Sequence, residues 1–194
     1  MGAKQSSQIK KEEIRALQEK THFEEQELRQ IWRHFSRISA SNKNDGVIDK
    51  DEFKAALGLH DNDFIVDRIF RVFDENGDGS INVQEFICGL SFFSKKATFD
   101  EKLQFAFSIY DVDRDGHIDK EELFGVLRAS LFENKLSLTD EQMQQAVEAT
   151  FQEADINGDG LISFDEFREM VLKHPQMIDS MTLSKDIVPA ITSQ

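Results

Sequence analysis

The stretch DENGDGSINVQE, residues 74–85, decides the fold. Acidic or amide residues stand at its positions 1, 3, 5 and 9, with glycine at 6, isoleucine at 8 and glutamate at 12. The pattern returns as DVDRDGHIDKEE at 111–122 and as DINGDGLISFDE at 155–166, where a serine takes position 9. A weaker copy ends in DGVIDKDE at Glu52. The repeated glycines Gly46, Gly79, Gly116 and Gly160 lie 33, 37 and 44 residues apart. A solenoid would hold that spacing constant. Unequal gaps between helical patterns predict helix–loop–helix units joined by linkers of different length.

The flanks read as amphipathic helix. Leu28, Ile31, Trp32 and Phe35 fall at i, i+3, i+4 and i+7 before the weak copy. Ile69, Phe70 and Phe73 precede the first strong loop, Leu103, Phe107 and Tyr110 the second, Val147 and Phe151 the third. After the loops, Phe53/Leu57, Phe86/Leu90, Leu123/Leu127 and Phe167/Val171 each repeat at i, i+4. Thr21–Glu24, Thr98–Glu101 and Thr139–Gln142 have the spacing of a capping box, in which two side chains satisfy each other's backbone N–H at a helix start. The fold class expected is all-α: four helix–loop–helix hands at about 24–57, 61–94, 98–133 and 140–174, paired into two lobes with short strands joining the loops. Residues 1–20 form a leader, 21–96 the first pair, 97–174 the second. Residues 175–194 form a tail set off by Pro175, which disfavours helix in the residue before it.

The loop chemistry is that of a hard divalent cation, which takes six to eight oxygens. Positions 1, 3, 5, 9 and 12 offer side-chain oxygens and position 7 a backbone carbonyl. Position 6 turns with a dihedral that glycine tolerates. The glutamate at 12 is long enough to reach the ion with both oxygens. The first strong loop offers Asp74, Asn76, Asp78, Ser80 (carbonyl), Asn82 and Glu85. The second offers Asp111, Asp113, Asp115, His117 (carbonyl), Asp119 and Glu122, and the third Asp155, Asn157, Asp159, Leu161 (carbonyl), Ser163 and Glu166. Three matches in series to the calcium-loop pattern predict three bound Ca2+ ions. Loop 111–122 carries the most carboxylates and is expected to fill first. The weak copy leaves a fourth site open. A 12-residue frame starts at Ser41 and puts Lys43 at a ligand position, as in a structural hand that binds nothing. A 14-residue frame from Ser39 could bind through main-chain carbonyls.

Composition narrows the function. The 194 residues carry 23 Lys and Arg against 37 Asp and Glu, a net charge of −14. That field repels phosphate backbones, so no nucleic-acid partner is expected. No apolar run of about 18 residues marks a membrane span. Cys88 is alone, which fits a reducing, cytoplasmic compartment and a small core residue. The 17 phenylalanines belong to the apolar faces beside the loops. His22, His34, His60, His117 and His174 form no triad or ligand spacing, and no nucleophile motif or phosphate-binding glycine loop occurs, so the chain is not expected to be an enzyme. Met1-Gly2-Ala3-Lys4-Gln5-Ser6 fits the signal for myristoylation of Gly2, which would make the protein peripheral on membranes.

From about 24 to 183 the chain resembles the calcineurin B and calcineurin B-like calcium sensors, a branch of the four-EF-hand proteins. The loop series, DRIFRVFDENGDG, EKLQFAFSIYDVDRDG and VLKHPQMIDSMTL carry the resemblance. ISASNKNDGVIDKDEF looks like the 14-residue first loop of the calcineurin B-like sensors, which can hold calcium through backbone oxygens. Its ligands here would include Glu52 and Asp49. The resemblance implies a sensor that binds an amphipathic helix of a catalytic partner. That partner is a phosphatase for calcineurin B and a Ser/Thr kinase for the calcineurin B-like sensors. The latter usually end in a phosphorylatable Phe-Pro-Ser-Phe motif, whereas residues 185–194 here read KDIVPAITSQ. A calcium buffer without a dedicated partner is the alternative. The tail, with Met177, Ile178, Met181, Leu183, Ile187 and Val188, would either guard the partner groove or complete the core.

Overall fold

The structure is a computed structural model and describes residues 9–57, 63–133 and 136–174. Gly2, His60 and the tail lie outside the described residues. In chain order the elements are α1 (Lys11–Lys20), α2 (Glu25–Ile38), α3 (Lys50–Leu57), α4 (Asp63–Phe73), α5 (Val83–Ser91), α6 (Phe99–Tyr110), β1 (His117–Ile118), α7 (Lys120–Glu133), α8 (Asp140–Ala154), β2 (Ile162–Ser163) and α9 (Phe164–Lys173). Among the described residues the fold is helical, as expected, with short strands only where loops meet. Two compact units divide between Lys102 and Leu103, within α6. Among the described residues no helix is long and apolar enough to cross a membrane.

In the first unit α2 buries Leu28, Ile31, Trp32, Phe35 and Ile38, the face its periodicity marks. Phe35 meets Phe86 of α5 with ring centroids 5.6 Å apart. Phe53 of α3 meets Phe70 at 5.6 Å and Phe73 at 5.3 Å, and Phe73 meets Phe86 at 6.1 Å. All four pairs are tilted or edge-on, the arrangement that the aromatic quadrupole favours. Gly89 makes this packing possible: a Cβ there would stand 2.5 Å from Phe73 Cδ1.

The segment read as a leader contains α1, which packs on α2 and α5. Ile9, Ile14 and Leu17 are buried. Thr21 does not start a helix, as its spacing to Glu24 suggests. It ends α1, with its N–H and hydroxyl both donating to Leu17 O at 2.9 and 2.7 Å. The N-cap of α2 is Glu24, whose N–H donates to Glu27 Oε2 at 2.8 Å. The other two boxes form as read. Thr98 N–H and hydroxyl donate to Glu101 Oε2 at 2.7 and 2.8 Å, and Thr139 N–H donates to Gln142 Oε1 at 2.9 Å.

In the second unit Leu103 and Phe107 of α6, Val147 and Phe151 of α8, and Phe167 and Val171 of α9 form the core. Phe107 stands 5.5 Å from Phe167 and 5.6 Å from Phe164, and Tyr110 stands 6.0 Å from Phe167. Leu123 and Leu127 of α7 pack against this core but stay partly exposed. β1 and β2 pair antiparallel, with Ile118 opposite Ile162. The first unit has the matching feature as a single bridge: Ile48 and Ile81 exchange N–H···O bonds of 2.8 and 2.9 Å. In both units the partners are the position-8 isoleucines.

Candidate metal centres

Each strong loop follows directly on a helix. Asp74 follows Phe73, Asp111 follows Tyr110, and Asp155 follows Ala154. The position-1 aspartate then gathers the loop's own amides. Asp74 Oδ1 accepts from Gly77 N–H at 2.9 Å and Asp78 N–H at 3.1 Å, and Oδ2 from Gly79 N–H at 2.9 Å. Asp155 repeats this with Gly158, Asp159 and Gly160 at 2.7, 3.2 and 2.9 Å. Asp111 Oδ2 accepts from Gly116 N–H at 3.1 Å. The position-6 glycines turn at φ of 83°, 89° and 85°, the left-handed region that glycine enters freely.

Positions 9 and 12 serve two purposes. The position-9 side chain accepts the N–H of position 12: Asn82 from Glu85 at 3.1 Å, Asp119 from Glu122 at 2.7 Å, Ser163 from Glu166 at 3.4 Å. The glutamate accepts the position-9 N–H in return, at 2.9, 3.0 and 2.9 Å. This is a capping box, so the residues expected to ligate an ion also start α5, α7 and α9. The other glutamate oxygen reaches across the loop. Glu122 Oε1 accepts from Val112 N–H at 2.6 Å, and Glu166 Oε1 from Ile156 N–H at 3.0 Å.

Calcium fits these loops. Asp111, Asp113 and Asp115 each place a carboxylate oxygen within 4.8 Å of the others. Asp111 Oδ1 is buried and, among the described residues, accepts no hydrogen bond. Burial, reinforced by the neighbouring charges of Asp115 and Asp113, pushes the Asp111 carboxyl above its ordinary range despite the N–H donors of Gly116 and Arg114. A cation relieves both costs at once. Asp78 is held low by the hydroxyl and N–H of Ser80. Burial works to raise Glu166, but donors from Ser163, Asn157 and Ile156 outweigh it and hold it low. Asp74, Asn76, Asp78, Asn82 and Glu85 would hold an ion in the first strong loop, with the Ser80 carbonyl. Asp155, Asn157, Asp159, Ser163 and Glu166 would do so in the third, with the Leu161 carbonyl. His117 would offer its carbonyl in the second. Its ring stands apart, with Nδ1 3.7 Å from Asp115 Oδ1.

The weak loop folds on the 12-residue frame that begins at Ser41. Gly46 takes position 6 at φ 87°, and Asn44 takes position 4 at φ 50°, where Arg114 has 63° in the second strong loop. Glu52 N–H donates to Asp49 Oδ1 at 2.9 Å, Asp49 N–H to Glu52 Oε2 at 3.1 Å, and Asn42 N–H to Glu52 Oε1 at 3.1 Å. Both sequence frames have a physical counterpart. α2 ends at Ile38, so Ser39 and Ala40 add two residues before the frame starts. Lys43, at position 3, donates from Nζ to Asp49 Oδ2 at 2.8 Å. That bond, with the charges of Asp49, Asp45 and Glu52, raises the Lys43 ammonium above its ordinary range and holds Asp49 below its own.

Cys88 is half-buried rather than a core residue. It lines a cleft of about 410 Å³ with Leu17 and Lys20 of α1 and Glu75 and Glu85 of the adjoining loop. Burial pushes its thiol up. Burial also pushes the Tyr110 phenol up to about 12. His22 meets Glu101 at 2.8 Å, and His174 meets Glu153 at 2.6 Å.

The family model of an EF-hand domain pair matches residues 100–172, and a second EF-hand pair model matches residues 44–91. Among curated relatives, the calcineurin B of Naegleria gruberi is 41% identical over 183 residues, covering 94% of this chain and 99% of that protein. The calcineurin B of Schizosaccharomyces pombe is 41% identical over 161 residues, 83% and 88% of the two chains. Human calcineurin B type 2 is 42% identical over 151 residues, 78% and 85%.

Proposed function

The chain belongs to the calcineurin B family of EF-hand proteins, and on that premise we propose that it is a regulatory protein that uses calcium to seat an amphipathic helix of a phosphatase catalytic subunit. It binds calcium rather than catalysing a reaction. Ion binding in paired loops shifts the helices they join and opens apolar surface to a partner helix.

One observation in the second unit carries the partner reading. A groove of about 750 Å³ lies between α7 and α8, lined by Phe124 and Val147 with Glu121, Glu141 and Glu148 beside them, against one cation, Lys120, which pairs with Glu148 at 2.5 Å. The three glutamates are exposed, Val147 is buried and Phe124 is partly buried. Apolar contact at the base with carboxylates at the edge suits a helix with one apolar face and basic flanks. A buffer has no use for such surface. The test is capture from the native cell with the tagged full chain, in calcium and in chelator. Calcium-dependent recovery of a phosphatase catalytic subunit is expected. Recovery of a Ser/Thr kinase would move the chain to the other branch, and recovery of neither, with no calcium-specific gain in hydrophobic-dye binding, would favour a buffer.

The membrane reading rests on the sequence. Gly2 takes a myristoyl group, which alone gives membrane binding of only about 10⁴ M⁻¹. Lys4, Lys10 and Lys11 add attraction of about 1 kcal/mol each near an anionic leaflet. The net charge of −14 opposes them, and bound calcium reduces it. Attachment is therefore weak, reversible and strengthened by calcium. Mass spectrometry of the native N-terminus decides the lipid, and an unmodified or acetylated Gly2 removes this reading. Flotation with anionic vesicles should weaken when the three lysines become glutamine.

A further inference from the structure

The four loops share one hydrogen-bond scheme, and that makes the exception in the first loop informative. In loops 74–85, 111–122 and 155–166, position 1 is an aspartate that collects the position-6 N–H, and position 3 is Asn76, Asp113 or Asn157. In the first loop position 1 is Ser41, which has no carboxylate, and position 3 is Lys43. The rest of the frame is kept. Val47 N–H donates to Asp45 Oδ1 at 3.2 Å, the position-7 to position-5 bond found as Ser80 to Asp78 at 2.9 Å and as Leu161 to Asp159 at 2.9 Å. Glu52 is 3% exposed and closes the frame like the other position-12 glutamates.

At the edge of that frame the chain sets a cation of its own, on a side chain that stays 61% exposed. The Lys43 ammonium spans from position 3 to position 9 and binds the Asp49 carboxylate at 2.8 Å, a group that would otherwise face the ion. We propose that the Lys43 ammonium is the first loop's permanent cation: it replaces calcium there, so the chain binds three ions and the first hand is a calcium-independent splint for loop 74–85. The splint acts through the Ile48–Ile81 bridge, whose 2.8 and 2.9 Å bonds tie the two loops. A calcium ion in the first loop would meet a positive charge at one ligand position and a hydroxyl where the other loops have a carboxylate. Calcium gains most from charged oxygen donors, and its affinity falls as their number falls. The two units then respond differently. The second has two loops that fill, and the first has one loop that fills against a partner already set.

The inference rests on calcium binding by the other three loops, and the experiment separates the two. Equilibrium dialysis of the full chain against saturating calcium, with magnesium as competitor, counts ions per chain. Three are expected for the wild type and three for E52Q. E122Q should bind two, which checks the reading of the strong loops independently. S41D/K43D, which gives the loop the position-1 aspartate of the other three and the position-3 aspartate of loop 111–122, should bind four. Four ions in the wild type falling to three in E52Q would overturn the inference, because the first loop would then bind through its longer, main-chain frame. So would three ions in S41D/K43D with unchanged helical circular dichroism. Should the double variant not fold, the wild-type and E52Q counts decide alone. No ions in any chain would overturn the calcium reading itself, and the inference with it.

Discussion

Replacing Gly89 by alanine should destabilise the first unit, although alanine is the better helix former. Gly89 lies inside α5, where the exchange is worth about 1 kcal/mol in propensity. Against that, the new methyl would stand 2.5, 2.6 and 2.9 Å from Phe73 Cδ1, Cε1 and Cγ. Carbons in contact prefer about 3.5–4.0 Å, so the overlap is about 1 Å. The Phe73 ring has nowhere to go. It is 1% exposed and stands 5.3 Å from Phe53 and 6.1 Å from Phe86. Overpacking costs about 1–3 kcal/mol, and a pinned ring puts this case at the upper end. The net loss is about 2 kcal/mol. For a unit of this size Tm falls by about 4–8 °C per kcal/mol, hence by about 8–16 °C. Scanning calorimetry in chelator, with near-ultraviolet circular dichroism of Trp32 to follow the first unit, measures it. Phe73 adjoins Asp74, so calcium affinity of loop 74–85 should fall as well. A Tm equal to or above that of the wild type would refute the argument. In an F73L background the ring is gone, and the same Gly89→Ala change should become neutral or stabilising.

Among the position-12 variants, E122Q should lose the tightest phase of a calcium titration while E85Q and E166Q keep it; loss of that phase in E85Q alone would contradict the ranking by carboxylate number. T98A should cost about 1 kcal/mol in thermal stability, as loss of an N-cap does. The Glu101 carboxyl is held low first by the Thr98 N–H, then by the Thr98 hydroxyl and His22. Its contribution is therefore complete above the unfolded-state pKa and lost as pH falls through the folded one. E101Q should flatten that acid limb of the stability curve, and an unchanged limb would rule the contribution out. L17A should loosen α1 from α5 and speed alkylation of Cys88, which shares the cleft beside α1; an unaltered rate would mean that α1 does not shield the thiol.

The calcium loops were legible because their chemistry is local. Twelve consecutive residues hold the ligands, the turn glycine and the cap of the next helix, so Asp111 to Glu122 can be read without knowing the fold. The phenylalanine core was legible by period: Phe35, Phe53, Phe73, Phe86, Phe107 and Phe167 are all fully buried. Phe99 is 43% exposed and shows where period stops being a guide. What the residues did not disclose depends on distant partners. The docking of α1 rests on Ile14 and Leu17, too few apolar positions to mark a face. T-x-x-E at 21–24 fits a helix start equally well, and only the Leu17 carbonyl beside Thr21 makes that threonine an ending. The frame of the first loop was ambiguous because α2 stops two residues early. The Lys43–Asp49 bond spans six residues of irregular chain, where no period predicts contact.

The chain's one tryptophan and one tyrosine fall in different units: Trp32 among the buried residues of α2, and Tyr110 at the end of α6, next to Asp111. Each is thus a native chromophore for one half of the molecule. Light at the red edge, absorbed by indole alone, samples the surroundings of the first hand. Tyrosine difference absorbance samples the residue beside the second strong loop. In one unlabelled sample, the order in which the two halves answer added calcium can be read as two separate colours.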